Sequence, residues 1–365
     1  MHENDITGQL QAHLHDRFKL LGADALRKQR IYLDTKCWAL LRDQIIGVRE
    51  SNPNLVKLLE ILRHRVKSGE SICTFSGHTL TEVMGHASPD TRNATAELMD
   101  ELSQGYCIAN QDRLLANEIA HWYFSWIQPG KERTPLPQLA WSKPFYLHLD
   151  YLPPTIPNIT PKEQWDIAIK FIEFTWSMPM TKIMLQLQNN ETPYPLSDWN
   201  KRAAENINSE VRKYDHENST RSSLYLSELT GLLDAITPTL VDIYVQVASQ
   251  TGALLPRTSK EMEGCGDVII RAIRAVAIDR GIEHTLPGVH IRTALHTAIR
   301  WDTRRKIKPN DLIDMEHAQA ALPNCNLFMT DKPHVQLIRS MKLDETYSCT
   351  TIGDPALAIA ALNKD

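Results

Sequence analysis

Five acids in this chain stand where strands are expected to end or helices to begin. Asp34 closes the apolar run "RIYL", Asp331 closes "NLFMT", and Glu82 lies in the helix start "HTLTEV". Asp311 and Asp314 stand one turn apart at the head of "NDLIDMEHAQAALP". Each has a plain structural reading. Asp34 and Asp311 can cap their helices, Glu82 follows Thr79 at capping-box spacing, and Asp331 can close a turn. Their placement together says more. In a β-α-β unit the strand C-termini and the helix N-termini share one edge of the sheet, the edge where open α/β folds bind ligands. Unit charges 4 Å apart repel by roughly 4 kcal/mol at an effective dielectric near 20. Converged carboxylates therefore need protons or a bridging cation. Carboxylate ligation without paired His or Cys favours Mg²⁺ or Mn²⁺ over zinc, and such ions commonly meet phosphates.

The elements that must position these acids are legible at both ends of the chain. Ile6, Leu10, Leu14, Phe18 and Leu21 recur at helical spacing and predict a helix over residues 5–27. After strand "RIYL", the stretch "TKCWALLRDQIIGV" presents Trp38, Leu41, Ile45 and Val48 as one face, and "NLVKLLEILRHRVKSG" repeats the pattern with a Gly stop. "SICTFS" reads as a second strand and "HTLTEVMGH" as the next helix. Near the other end come helix "DLIDMEHAQAALP", strand "NLFM", a helix at "KPHVQLIRSM", strand "SCTTI" and a helix at "DPALAIAALN".

Between these ends the strand signal disappears. Seven prolines from Pro135 to Pro161 predict an irregular connection. Beyond them "KEQWDIAIKFIEFTWSM", "DWNKRAAENINSEVRKY", "SELTGLLDAITPTLVDIYVQVA" (bent at Pro238), "EMEGCGDVIIRAIRAVAIDRG" and "GVHIRTALHTAIRW" read as helices. Strand-helix alternation at both ends predicts an α/β fold with a central parallel sheet, interrupted by a large, mainly helical insertion.

Composition sets outer bounds. With 42% apolar and 23% charged residues among 365, the chain belongs with globular domains, and a net charge of −4 excludes a uniformly basic nucleic-acid coat. Six scattered cysteines form no C-x-x-C pair, which predicts free thiols in a reducing compartment. No run is long and apolar enough for a membrane span, and the N-terminal stretch lacks an apolar leader core, so a cytoplasmic location is expected. A local basic excess runs from Arg271 to Lys308, including Arg304 and Arg305, and is either a solvated face or a track for a nucleic-acid backbone. "HWYFSWIQPG" offers Trp122, Tyr123, Phe124 and Trp126 for base stacking or, more simply, for core packing. His317, one turn after Asp314, is a partner for a carboxylate or a packed core histidine.

"YLDT", "TLTEV" and "DLIDMEHAQAALPNCNLFMTDK" together resemble the motifs of the PIN-like ribonuclease superfamily. The match lies in a strand ending in Asp, a helix-borne Glu, an acid opening an Ala-rich helix, and a strand ending in Thr-Asp. The resemblance implies a three-layer α/β/α PIN-like domain built from residues 28–105 and 285–365, with residues 1–27 as an N-terminal helical segment and residues 106–284 as the insertion. It implies a metal-dependent endonuclease, acting on RNA, in which Asp34, Glu82, Asp314 and Asp331 hold Mg²⁺ or Mn²⁺, with Asp311 a possible fifth ligand. Thr35 would lie near the scissile phosphate, with Lys36, Arg304 and Arg305 binding substrate. Two departures stand out. The insertion has no counterpart in compact members, and offers a surface for a protein partner or a second copy. Lys36 replaces the Asn or Ser that many members carry, so its ammonium either contacts a phosphate or weakens the site. The alternative is a catalytically weak PIN-like scaffold that binds RNA or a partner protein through the insertion. A phosphatase of the haloacid-dehalogenase type also starts from a strand-end Asp, but needs a second Asp where Lys36 stands.

Overall fold

A computed structural model describes residues 3–85, 88–147, 153, 156–188, 196–214, 220–249, 251, 255–302 and 304–363. Parts of the Pro-rich connection, residues 148–152 and 154–155, and His86 of the fourth predicted helix lie outside them.

Among the described residues six strands form, β1 (Gln29–Leu33), β2 (Ser71–Thr74), β3 (Cys107–Ile108), β4 (Trp141–Ser142), β5 (Leu327–Met329) and β6 (Thr350–Ile352). Four of them make a parallel sheet in the order β2-β1-β5-β6. The register sets Ile31 beside both Cys73 and Leu327, and Leu327 beside Thr350. β1 therefore sends its chain to one side, to β2, while β5 joins its other side and continues outward to β6. The strand order reverses between β1 and β5, which opens a crevice beyond their C-terminal ends.

Alternation along each strand assigns the faces. Ile31, Leu33, Cys73, Leu327, Met329 and Ile352 enter one apolar core, whereas Tyr32, Ile72 and Phe328 enter another. Strands buried on both faces read as continuous apolar runs, as "RIYL" and "NLFM" do. Helices Thr35–Ile46, Pro53–Lys67, Pro89–Ser103 and Pro355–Leu362 cover the first face. Helices Glu3–Ala25, Pro287–Trp301, Pro309–Ala321 and Lys332–Ser340 cover the second. The parallel sheet flanked by helices agrees with the sequence reading.

The helical segments between the two halves divide their loyalties. Met180, Ile183 and Met184 of helix Met180–Gln188 pack into the first sheet core, against helix Pro89–Ser103. Helix Leu196–Tyr214 places Ala204 in the second. A separate helical core gathers Trp122, Leu229, Leu233, Ile269, Ile273 and Val289 from helices Gln111–Ile127, Arg221–Ser249, Ser259–Asp279 and Pro287–Trp301. Arg221–Ser249 runs as one helix through Pro238.

Several expectations need correcting. The face read from Trp38 to Val48 is buried only at Trp38 and Leu41. Ile45 is 46% and Val48 70% exposed, because Gly47, at a φ of 68°, ends the helix in the left-handed conformation that glycine supplies. β3 and β4 pair antiparallel, with Ile108 beside Trp141, where no strand was expected. Trp122 is buried in the helical core while Trp126 is 56% exposed. The basic run is not one surface. Arg305 pairs with Asp311, Arg300 with Glu228, and Arg274 and Arg292 line a cavity between helices, leaving Arg271, Arg280, Arg304, Lys306 and Lys308 exposed. All six cysteines are free, four of them buried. Among the described residues no helix is long and apolar enough to cross a membrane.

The N-terminal helix is fixed by a close approach. A Cβ at Gly22 would run into the Gln138 carbonyl of the short helix Leu136–Leu139, and the Gln138 amide donates to Lys19 O at 3.1 Å. Gly22→Ala is expected to lower stability by about 1–3 kcal/mol through overpacking, against about 1 kcal/mol of helix propensity in its favour. An unchanged urea midpoint would show that the two helices part there at no cost.

Candidate active site

Four carboxylates reach the C-terminal edge of the sheet from four elements. Asp34 follows β1 and N-caps helix Thr35–Ile46, its Oδ1 accepting from Cys37 N at 2.7 Å. Asp331 follows β5 and N-caps helix Lys332–Ser340, accepting from His334 N at 2.9 Å. The two flank the reversal of strand order. Asp314 comes from the second turn of helix Pro309–Ala321, and Glu82 from helix Gly77–Met84. Glu82 is not in a first turn. The capping box of its helix is Ser76 with Thr79, so the helix starts earlier than the sequence reading had it and Glu82 falls a turn further in.

Asp311 has a different occupation. Its Oδ1 accepts from Arg305 Nη2 at 2.6 Å and its Oδ2 from Lys308 N at 2.7 Å. These bonds close the N-terminus of the helix that carries Asp314, so Asp311 and Arg305 are committed to each other. Arg304 is exposed.

The electrostatics of the edge centre on His317. Its Nε2 lies 2.9 Å from Glu82 Oε2 and its Nδ1 2.8 Å from Tyr32 Oη. Burial disfavours a charge on this imidazole, but Tyr32, Glu82 and the Asp34 charge outweigh it and hold it well above the usual histidine range. As an imidazolium it donates from both nitrogens, and Tyr32 Oη in turn donates to Ser76 Oγ at 2.7 Å. For Glu82, burial pushes upward, yet the His317 hydrogen bond and charge, with a hydrogen bond from Thr35 Oγ1, bring it below the ordinary carboxylate value.

The other acids move the opposite way. Burial raises Asp34, although His317 and hydrogen bonds from Cys37 and Thr330 oppose it. Asp314 is pushed up to about 7, chiefly by burial, with His317 opposing and the charges of Asp331, Asp34 and Asp311 reinforcing. Asp314 has no hydrogen-bond or ion-pair partner among the described residues. Its neighbours are mostly like charges. On the far side of Thr330, His334 is held near 3 by burial and by His317 and Arg305, so it is neutral, with Nδ1 3.2 Å from Thr330 Oγ1.

Beside the acids a cavity of about 300 Å³ opens at the ends of β5 and β6, lined among others by Lys36, Thr330, Asp331, Lys332, Gly353 and Asp354. Asp331 borders it, and Lys332 pairs with Asp354 at 3.3 Å across its rim. Tyr32, Ser76 and His334 join the Thr330–Asp331 pair at this edge, and no sequence motif marks them. A polar-tipped aromatic inside the apolar run "RIYL" was the available signal for Tyr32.

The donor set, carboxylates with a charged histidine that cannot ligate, suits a hard divalent cation. Asp314 is raised chiefly by burial, and the charges of Asp331, Asp34 and Asp311 add to this against the imidazolium of His317. Among the described residues, no three His, Cys, Asp or Glu side chains are drawn together closely enough to hold an ion as they stand. Glu82 is turned to His317 and Thr35 instead. Comparison with protein-family models, with curated proteins and with solved structures finds no match to this chain.

Proposed function

We propose that this protein is a divalent-cation-dependent endonuclease of PIN-like type that hydrolyses phosphodiester bonds of RNA. The reading rests on one observation above the rest. Carboxylates from four separate elements stand along the edge where the strand order reverses, and Asp314, raised chiefly by burial, also feels the charges of Asp34 and Asp331. Asp34, Asp314 and Asp331 would hold Mg²⁺ or Mn²⁺, with Glu82 joining them when it releases His317. A cation held there would supply charge neutralisation at the phosphate and lower the pKa of the attacking water. Thr35, tied to Glu82, and Lys36, exposed at the mouth of the adjoining cavity, would orient the phosphate. His317 holds Glu82 in place and supplies a positive charge to the cluster until the cation arrives. Products bearing a 5′-phosphate and a 3′-hydroxyl are expected.

The test is cleavage of pooled single-stranded RNA and DNA with Mn²⁺ or Mg²⁺, with EDTA as the control. Metal-replete protein that leaves every substrate intact overturns the proposal. A second reading draws on the Glu82–His317 pair. If that pair stays closed, the edge carries its own internal cation, and the protein is a PIN-like scaffold that binds RNA or a partner protein through its helical insertion. Titration with Mn²⁺ separates the two, because the scaffold has no call for a cation at the acidic edge.

A further inference from the structure

Helices Leu196–Tyr214, Arg221–Ser249, Ser259–Asp279 and Pro287–Trp301 enclose a cavity of about 700 Å³. That is within the range of pockets that take small molecules, roughly 300–1,000 Å³. Three of the residues lining it are arginines from two helices, Arg274 on one and Arg292 and Arg300 on the other. Arg292, His296 and Arg300 recur every four residues, so the last helix turns one polar stripe toward the cavity.

The charges do not balance within it. Arg300 is committed to Glu228 of helix Arg221–Ser249. Arg292 makes no hydrogen bond or ion pair among the described residues, and the Nε of Arg274 is buried without a hydrogen bond. His296 brings no charge, since burial and the neighbouring Arg292 and Arg300 hold it near 3. Burial also draws the Arg292 guanidinium below its ordinary value, with only the charge of Glu316 opposing. Glu316 itself pairs with His78 at 2.8 Å. The acid left at the cavity, Asp234, is exposed.

A desolvated guanidinium without a counter-ion costs several kcal/mol, and a folded chain keeps one where something anionic offsets it. Guanidinium forks match phosphate oxygens two at a time, and two forks from different helices suit a dianion better than a single carboxylate. We propose that this cavity is a binding site for a phosphorylated small molecule of nucleotide size, with Arg292 and Arg274 on its phosphate oxygens and the Arg300–Glu228 pair forming the inner wall. The remaining lining, with Ser227, Thr230, Thr293 and Ile207, offers hydroxyls and apolar surface to the rest of the ligand. The site is independent of the acidic edge and of the nuclease reading.

Calorimetric titration of the full chain tests this, with pyrophosphate, AMP and ADP as probes and EDTA present so that no cation-mediated binding intrudes. Saturable binding of at least one probe is expected, weakened at least about tenfold by Arg292→Met, in line with a lost charge-assisted hydrogen-bond pair. A second variant guards against misfolding. A Cβ at Gly231 meets open space, so Gly231→Leu adds bulk at the cavity wall while improving helix propensity. It should weaken binding at least about tenfold without lowering the circular-dichroism melt. Wild-type protein that binds none of the three probes, or either variant binding as wild type does, overturns the proposal.

Discussion

Asp314→Asn is expected to reduce cation-supported RNA cleavage at least about a hundredfold. Outer-shell partners of metal ligands typically account for 10–100-fold in affinity or activity, and a direct ligand should exceed that. The same substitution should raise the stability of the cation-free protein at pH 8. Asparagine keeps the shape of the side chain and removes a charge that burial disfavours first, against the attraction of His317, and that Asp331, Asp34 and Asp311 repel. Lost activity joined to gained stability is the signature of a site built for an ion. Thermal melts in EDTA, read beside the cleavage assay and a Mn²⁺ titration, check both halves. Unaltered cleavage, or loss of cleavage with a lowered melting temperature, would remove Asp314 from the role proposed for it.

His317 explains how such an edge folds before any cation binds. Its imidazolium lies against Glu82 and within electrostatic reach of Asp34 and Asp314, and lowers the proton affinity of all three. Tyr32 and Ser76 fix the ring by using its other nitrogen, so the charge is delivered in one direction. A divalent ion entering beside Glu82 would compete with this imidazolium for the same carboxylate. Such an exchange would couple cation binding to proton release from His317, and the proposed cation affinity is then expected to fall as pH is lowered.

The pieces legible in the sequence are those fixed by local chemistry. Asp34 and Asp331 follow apolar runs; Asp34 caps its helix as its position implies, while Asp331, legible only as closing a turn, also caps one, and both stand at the end of a sheet strand. Glu82 lies a turn further into its helix than its spacing from Thr79 suggests, because Ser76 and Thr79 form the capping box just upstream. β3 and β4 are two residues each, too short for any alternation to show. Ser88 followed by Pro89 is a sound helix start, and the helix it opens was passed over. The basic run misled for a different reason. A charge count along the chain ignores the helical period, and Arg292 and Arg300, eight residues apart on one helix, both face the cavity where a linear count places them at the surface. The pairing of His317 with Glu82 is a long-range contact that no local pattern carries.

Glu118 should make the stability of the whole fold depend on pH. It sits on helix Gln111–Ile127 where the helical core meets the start of helix Pro287–Trp301, with Oε1 accepting from Gly288 N at 2.9 Å and Oε2 buried without a hydrogen-bond partner among the described residues. Burial pushes its carboxyl from 4.5 up to about 8, against the Gly288 and Val289 amides that hold it down. The native state therefore keeps a proton that the unfolded chain gives up. The stabilisation is fully present below pH 4.5 and is lost as pH rises through 8. By linkage the loss is on the order of a few kcal/mol at pH 9. Glu118→Gln reproduces the neutral form and keeps the acceptor for Gly288, so variant and wild type should melt alike at pH 5 and diverge above pH 6, with the variant the more stable. Urea unfolding across pH 5–9 in EDTA measures the gap directly. Parallel pH profiles would show that Glu118 is ionised in the native fold at neutral pH, and the helical core would then have to accommodate a buried carboxylate whose second oxygen no described group satisfies.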